Sequence, residues 1–458
     1  MAVPNGVLPT TYTIDAPGSY YLTGNCVSNA GTAIIISSSN VTLDLNGYSI
    51  TSTGSAPAGS GVLLTGVISN IHIHNGSIAG TASQTDGVFS GGGFVNGIST
   101  SAGPQSGVQV SRVSVSRCQN SGINLAFGKT TLIDSCAADS VGGVGLLATG
   151  VVNSVAWACG GDGIDASNAA NCIGHTLSDG TAGVHAMNAS DCYGACDGAN
   201  GFGLIGFNAT NCFGTTSGSG SIGLSGTTCS NCYGYSGHES SGEAGITATT
   251  ANNCVGYSVS GSGLGAFSAA NCRGDCESGA DHGLVATIAR GCYGACNGAG
   301  VGVYAYQVAS DCYGISVSGY GISANCASNC SGVSNSSVGV TANLASNCLG
   351  ASSSAAGIIA NCVSNSYGSS HSGIGLSAEV ASNSYGLSNS SYGVYANVSA
   401  IGCYGSSLGN SIGLYANHIT IGSLGDCVTG FGLHAIIANS CIGLGTNGSD
   451  VLNKYNMP

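Results

Sequence analysis

Charge is what this chain has least of. Only 6 of its 458 residues are Lys or Arg and 19 are Asp or Glu. Charged residues make up 5% of the chain, against ~25% in an ordinary globular domain. No cluster of basic residues exists to meet phosphates, and a net charge of −13 opposes nucleic acid further. No apolar run is long enough to span a membrane, and Met1–Thr10 does not read as a signal peptide. Large side chains are few, with one Trp, three Met and eight Phe. The core is therefore expected to be thin and built from Ala, Val, Ile, Cys and Gly. Helix is excluded by the 79 glycines, since each costs about 1 kcal/mol in a helix relative to Ala.

What is present is one sentence written many times. Gly163-Ile164-Asp165-Ala166 is followed by Ala169, Asn171-Cys172 and Gly174, and the frame returns at Gly183, Gly203, Gly223, Gly245, Gly263, Gly283, Gly302, Gly321, Gly339, Gly357, Gly375, Gly393, Gly413 and Gly432. Its spacing starts near 20 and settles to 18 between Gly321 and Gly393. A fixed period of this size means stacked supersecondary units. Each unit reads as a short alternating strand, a bend before the Asn-Cys pair, a second short strand and a Ser/Gly loop. The fold class expected is all-β, a parallel β-solenoid with 18–20-residue coils, whose corners use Gly and Asn for positive φ.

Three positions of the frame carry chemistry. Asn171, Asn211, Asn231 and Asn271 share one corner with Asn253, Asn329, Asn347, Asn365 and Asn383, and Asp191 and Asp311 substitute there. Stacked amides at a corner can bond one another along the axis, or Asn can simply tolerate the turn. The next residue is Cys at Cys172, Cys192, Cys212, Cys232, Cys254, Cys272, Cys292 and Cys312. Ser366 and Ser384 replace it without breaking the frame, so the expectation is a ladder of buried thiols chosen for size, with scattered disulfides as the alternative. After it comes an aromatic at Tyr193, Phe213, Tyr233, Tyr293 and Tyr313. If Cys points inward these rings form an outer stripe, either a platform for sugars or a partner chain, or rings that stack between coils for their own sake.

The N-terminal part carries a more specific signal. Pro17-Gly18-Ser19-Tyr20-Tyr21-Leu22, Val41-Thr42-Leu43-Asp44-Leu45-Asn46-Gly47 and Ile73-His74-Asn75-Gly76-Ser77-Ile78 resemble the opening of bacterial right-handed parallel β-helix proteins of the pectate-lyase-like superfamily. The resemblance covers residues 10–165 by motif and the remainder by repeat style. It implies a right-handed, three-faced helix, usually on exported proteins, and it implies no particular activity. The organisation expected is a cap and first coils over 1–80, less regular coils with loops over 81–162, regular repeats over 163–445 and a tail over 446–458.

Sites are few. A lyase-like β-elimination needs a strong base and acids that hold calcium. Arg117 with Asp134 and Asp139 offers the residue types, but they match no lyase motif, and surface ion pairs are the plainer reading. Gly160-Gly161-Asp162-Gly163-Ile164-Asp165 matches the calcium-binding nonapeptide of secreted β-rolls. That site needs the same nonapeptide on the next turn, where Gly180-Thr181-Ala182-Gly183-Val184-His185 has neither acid. His72-x-His74 lacks a third ligand, and Cys229-x-x-Cys232 is half a zinc clip without its second half. No metal, cofactor or catalytic residue is therefore expected.

Two function classes remain. One is a non-enzymatic structural rod at the cell surface or outside it, stacking with copies of itself into a filament or adhesive layer. The other is a polysaccharide-binding module or carbohydrate-active enzyme.

Overall fold

The computed structural model describes residues 1–458 apart from Pro9, Asp86, Ala102, Phe127, 240–242 and Pro458. The chain is all-β, without a helix among the described residues, and forms a parallel β-solenoid of about 22 turns. It divides into two compact units, Met1–His238 and Glu239–Pro458.

Unit 1 opens with wide coils. Gly18–Leu22, Val41–Asp44, Ser69–Ala79 and Gln105–Ser116 pair in parallel one above the next. Their inward residues are large: Leu22, Leu43, Ile71, Ile73 and Val110 are essentially fully buried. One antiparallel hairpin, Ser83–Thr85 with Val88–Ser90, leaves the stack. From Leu146–Val152 onward the coils become regular. Ala182–Ser190 pairs with Phe202–Thr210, and Tyr193–Cys196 pairs with Phe213–Thr216, each in unbroken register.

The change from wide to thin coils follows the change from Ile and Leu to Ala, Cys and Gly. In the coil of Gly183–Gly203 the buried side chains are those of Val184, Ala186, Ala189, Cys192, Ala195 and Cys196. Glycine sets the thickness. A Cβ on Gly174 would lie 1.9 Å from the carbonyl oxygen of Gly183, so backbone packs on backbone with no side chain between. This is the residue that no alternative can replace at that approach.

Unit 2 repeats the arrangement with little variation. Leu264–Ala270, Leu284–Arg290, Val303–Ser310, Ile322–Ser328 and Val340–Ser346 pair in sequence along one face. Arg273–Cys276, Tyr293–Cys296, Tyr313–Ser316 and Ser331–Ser334 pair along the next. The register slips where one coil carries an extra residue, between Ala286 and Ile288 for example.

A candidate groove and the repeated side-chain rows

The corner residue after the first strand adopts the left-handed conformation in coil after coil. Asn171, Asn211, Asn231 and Asn271 have φ of 53°, 54°, 53° and 51°, and Asp191 and Asp311 have 53° and 55°. Gly291, Gly402 and Gly422 occupy the same corner with φ of 60°, 61° and 56°. Asn, Asp and Gly are the residues that reach this region at least cost. The amides also bond along the stack. Asn171 Nδ2 donates to Asn153 Oδ1 (3.3 Å), Asn211 Nδ2 to Asp191 Oδ1 (3.1 Å) and Asn231 Nδ2 to Asn211 Oδ1 (3.3 Å). In unit 2 Asn329 donates to Asp311 (3.1 Å) and Asn347 to Asn329 (3.2 Å). A second row lies three residues earlier, where Asn188 donates to Asn168 (2.9 Å) and Asn208 to Asn188 (2.8 Å). It sits where the strand alternation breaks, which hides it from a periodicity reading.

The cysteines next to the corner point inward. Cys172, Cys192, Cys212, Cys232, Cys254, Cys272, Cys292 and Cys312 are all buried. They do more than fill space. The thiol of Cys212 donates to the Thr210 carbonyl (3.2 Å), and that of Cys312 to Ser310 (3.2 Å) and to Ala289 of the coil before (3.5 Å). Ser366 and Ser384 make the same inward bond, to Ser364 and Ser382, at 2.7 Å. Their oxygens also accept from the Cys348 and Ser366 amides of the preceding coil, at 3.1 Å and 3.2 Å. Burial pushes the Cys118 thiol up to about 12 and Cys136 up to about 11. Contact with the Cys172 thiol, and then burial, takes Cys192 to about 11.

The rings point outward and stack. Tyr193 and Phe213 lie 5.3 Å apart and 10° from parallel, and Phe213 and Tyr233 lie 4.8 Å and 2°. Tyr293 stacks on Tyr313 at 5.6 Å, with Arg273 capping Tyr293 at 5.0 Å. Tyr367, Tyr385 and Tyr404 form a further row at 4.9 and 4.8 Å. These spacings match the ~4.8 Å between paired strands, so each inner ring turns both flat faces to its neighbours. A groove of about 470 Å³ runs beside the last row, lined by Asn347, Leu349, Asn365, Tyr367, Tyr385 and Tyr404.

Titratable groups converge at one place in unit 1. Asp165 and His185 are register partners on adjacent strands, and Asp162 precedes the first of them. His185 Nδ1 stands 3.6 Å from Asp162 Oδ2 and 3.6 Å from Asp165 Oδ1. Asp162 Oδ1 is held by the Ala182 amide at 2.7 Å. The Asp162 carboxylate beside it raises the His185 imidazole above its ordinary range, and burial raises Asp165 against the pull of His185. A shallow groove of about 400 Å³ adjoins, lined in part by Leu125, Leu147, Asp165, His185 and Met187. A second hollow of about 380 Å³ continues past His185 and Met187 to Ile205 and Phe207. Met187 and Phe207 are 62% and 59% exposed, which no pattern in the sequence singles out.

The other candidates have local roles. Arg117 occupies a left-handed corner (φ 52°), and its amide donates to the Asp139 carbonyl at 3.1 Å. Asp134 Oδ1 accepts from Ser135 and Asn153. His72 and His74 stack at 4.6 Å, His72 facing Ser111 and His74 facing Asp44. Cys229 takes the register position of Ala209 and is as buried. Comparison with protein-family models, with curated proteins and with solved structures found no match to this chain.

Proposed function

We propose that this chain is a non-enzymatic structural β-solenoid, exported to the cell surface or beyond, that associates with copies of itself into a filament or adhesive layer. The observation that carries this reading is the orientation of the rings. A sugar platform offers the flat face of an aromatic, whereas Phe213 and Tyr385 give both faces to neighbouring rings and leave edges and hydroxyls outside. The rows, the corner amides as a ladder and the inward thiols as a second ladder all serve coil-on-coil stacking.

The outer surface supports association. So few charges offer little repulsion between neighbours at moderate salt, where the net −13 is screened. Unit 2 carries exposed apolar residues in register, Ile401 beside Ile421 at 44% and 41%. Contiguous exposed apolar residues mark interaction surfaces. Sedimentation and electron microscopy over a concentration series test the proposal. Growing assemblies are expected, and Ile401→Asp with Ile421→Asp is expected to dissolve them. A protein that stays monomeric at high concentration overturns it.

The groove beside Asp165 and His185 favours a second reading, a carbohydrate-binding or carbohydrate-active protein, in keeping with the N-terminal resemblance to the pectate-lyase-like superfamily. Depolymerisation of a neutral or acidic polysaccharide by the monomer, abolished by Asp165→Asn, would establish it in place of the first.

A further inference from the structure

The geometry at Asp162, Asp165 and His185 points to a divalent transition-metal site, one that would take Zn²⁺ or its stand-in Co²⁺, bridging two adjacent coils of unit 1. The three side chains each bring one ligand atom, all within 4.8 Å of one another. Tetrahedral zinc with bonds of ~2.0–2.2 Å sets neighbouring ligand atoms roughly 3.3–3.6 Å apart. His185 Nδ1 stands 3.6 Å from an oxygen of each aspartate.

The contrast with other histidines is informative. His175 closes on Asp197 at 3.0 Å and His434 on Asp450 at 2.9 Å, so a direct hydrogen bond joins each pair. His74 stands 3.6 Å from Asp44 but faces that one carboxylate. His185 instead sits between two carboxylates, beyond hydrogen-bond reach of either, at the separation an ion fills. Asp162 is already oriented, because the Ala182 amide holds its other oxygen. Such an outer partner fixes a ligating carboxylate.

The donor set chooses the metal. Calcium takes six to eight oxygens. One imidazole nitrogen and two carboxylates suit a small borderline cation with a fourth position left open. Asp165 and His185 both line the adjoining groove, so water or a groove ligand takes that fourth position.

The thiols of Cys362 and Cys326, exposed and half-buried, are rival ligands and have to be removed. The experiment uses the full chain carrying Cys326→Ser and Cys362→Ser, stripped with chelator and titrated with Co²⁺ and then Zn²⁺. One ion per chain is expected, with a visible Co²⁺ spectrum free of thiolate charge transfer and no competition from Ca²⁺. His185→Gln is expected to weaken binding at least ~10-fold, and so is Asp162→Asn, which keeps the oxygen that accepts from Ala182. Circular dichroism unchanged in both variants separates lost ligation from lost fold. Absence of saturable binding, a thiolate band, or undiminished affinity in His185→Gln would overturn the site.

Discussion

A Cβ added to Gly274 would lie 2.1 Å from the carbonyl oxygen of Gly283, just ahead of the next strand in the chain, Leu284–Arg290. Two backbones therefore touch where other folds place side chains, and neither can yield without breaking its ladder. Gly265, on the strand before, has nothing closer than 3.9 Å at the same test.

Gly274→Ala is accordingly expected to destabilise unit 2 by more than the ~1–3 kcal/mol typical of an overpacked core. Gly265→Ala is expected to be neutral or mildly stabilising. Urea denaturation of the two variants side by side checks this, and equal midpoints would contradict the backbone contact.

Asn211 tests the corner. Its φ is 54°, a region that costs an ordinary L residue about 1–2 kcal/mol. Asn211→Ala keeps that strain and loses the bonds to Asp191 and Asn231. Asn211→Gly loses the bonds alone, as the chain itself does at Gly291. The Gly variant is expected to be the more stable by about 1 kcal/mol, read from denaturant midpoints. If the amide row dominated instead, both variants would be equally destabilised.

Thiol chemistry gives a third expectation. In the folded protein at neutral pH a maleimide is expected to label Cys362 quickly, Cys326 slowly and the buried cysteines negligibly. Mass spectrometry of the labelled, digested protein reads this directly. Rapid labelling of Cys118 or Cys192 would show that the coils open.

The same burial fixes the sign of a pH dependence. Cys118 is held near about 12 and Cys136 and Cys196 near about 11 when folded, against ~8.5 in the unfolded chain. Unfolding releases these protons once the pH passes ~8.5, so stability is full below that value and is lost as pH rises toward 11 to 12. Thermal unfolding measured across that window should show a falling midpoint, and a flat profile would contradict it.

Ser366 separates size from bonding. Its hydroxyl donates to Ser364 and accepts from the Cys348 amide. Ser366→Cys keeps both bonds and is expected to change stability by less than ~1 kcal/mol, while Ser366→Val leaves the Cys348 amide buried without its partner, at a cost of about 1–3 kcal/mol. Calorimetry on the pair decides it.

The stacking was legible because period is a property of the string itself. Gly163, Asn171, Cys172 and their successors repeat on one frame, and parallel pairing carries each onto the next. Size alone does not describe the cysteine position, since Ser366 and Cys348 each donate to the carbonyl two residues before, a bond that composition does not reveal. A further inward row was hidden because it drifts among Cys196, Thr216 and Ser236, three residue types for one buried position. The meeting of His185 with Asp162 and Asp165 is hidden for a different reason: a calcium repeat would place an acid opposite Asp165, and the residue that arrives there is an imidazole.

In unit 2 the bond from Asn343 to Asn325 spans 18 residues, and so does that from Asn347 to Asn329. Each coil thus presents to the coil above what it receives from the coil below. A segment of that length can be duplicated or excised in the gene and the seam that results closes with the same amide bonds as the seams already there. Length in this protein is then a heritable quantity that can change in whole coils, with no new interface to be invented and no old one to be repaired.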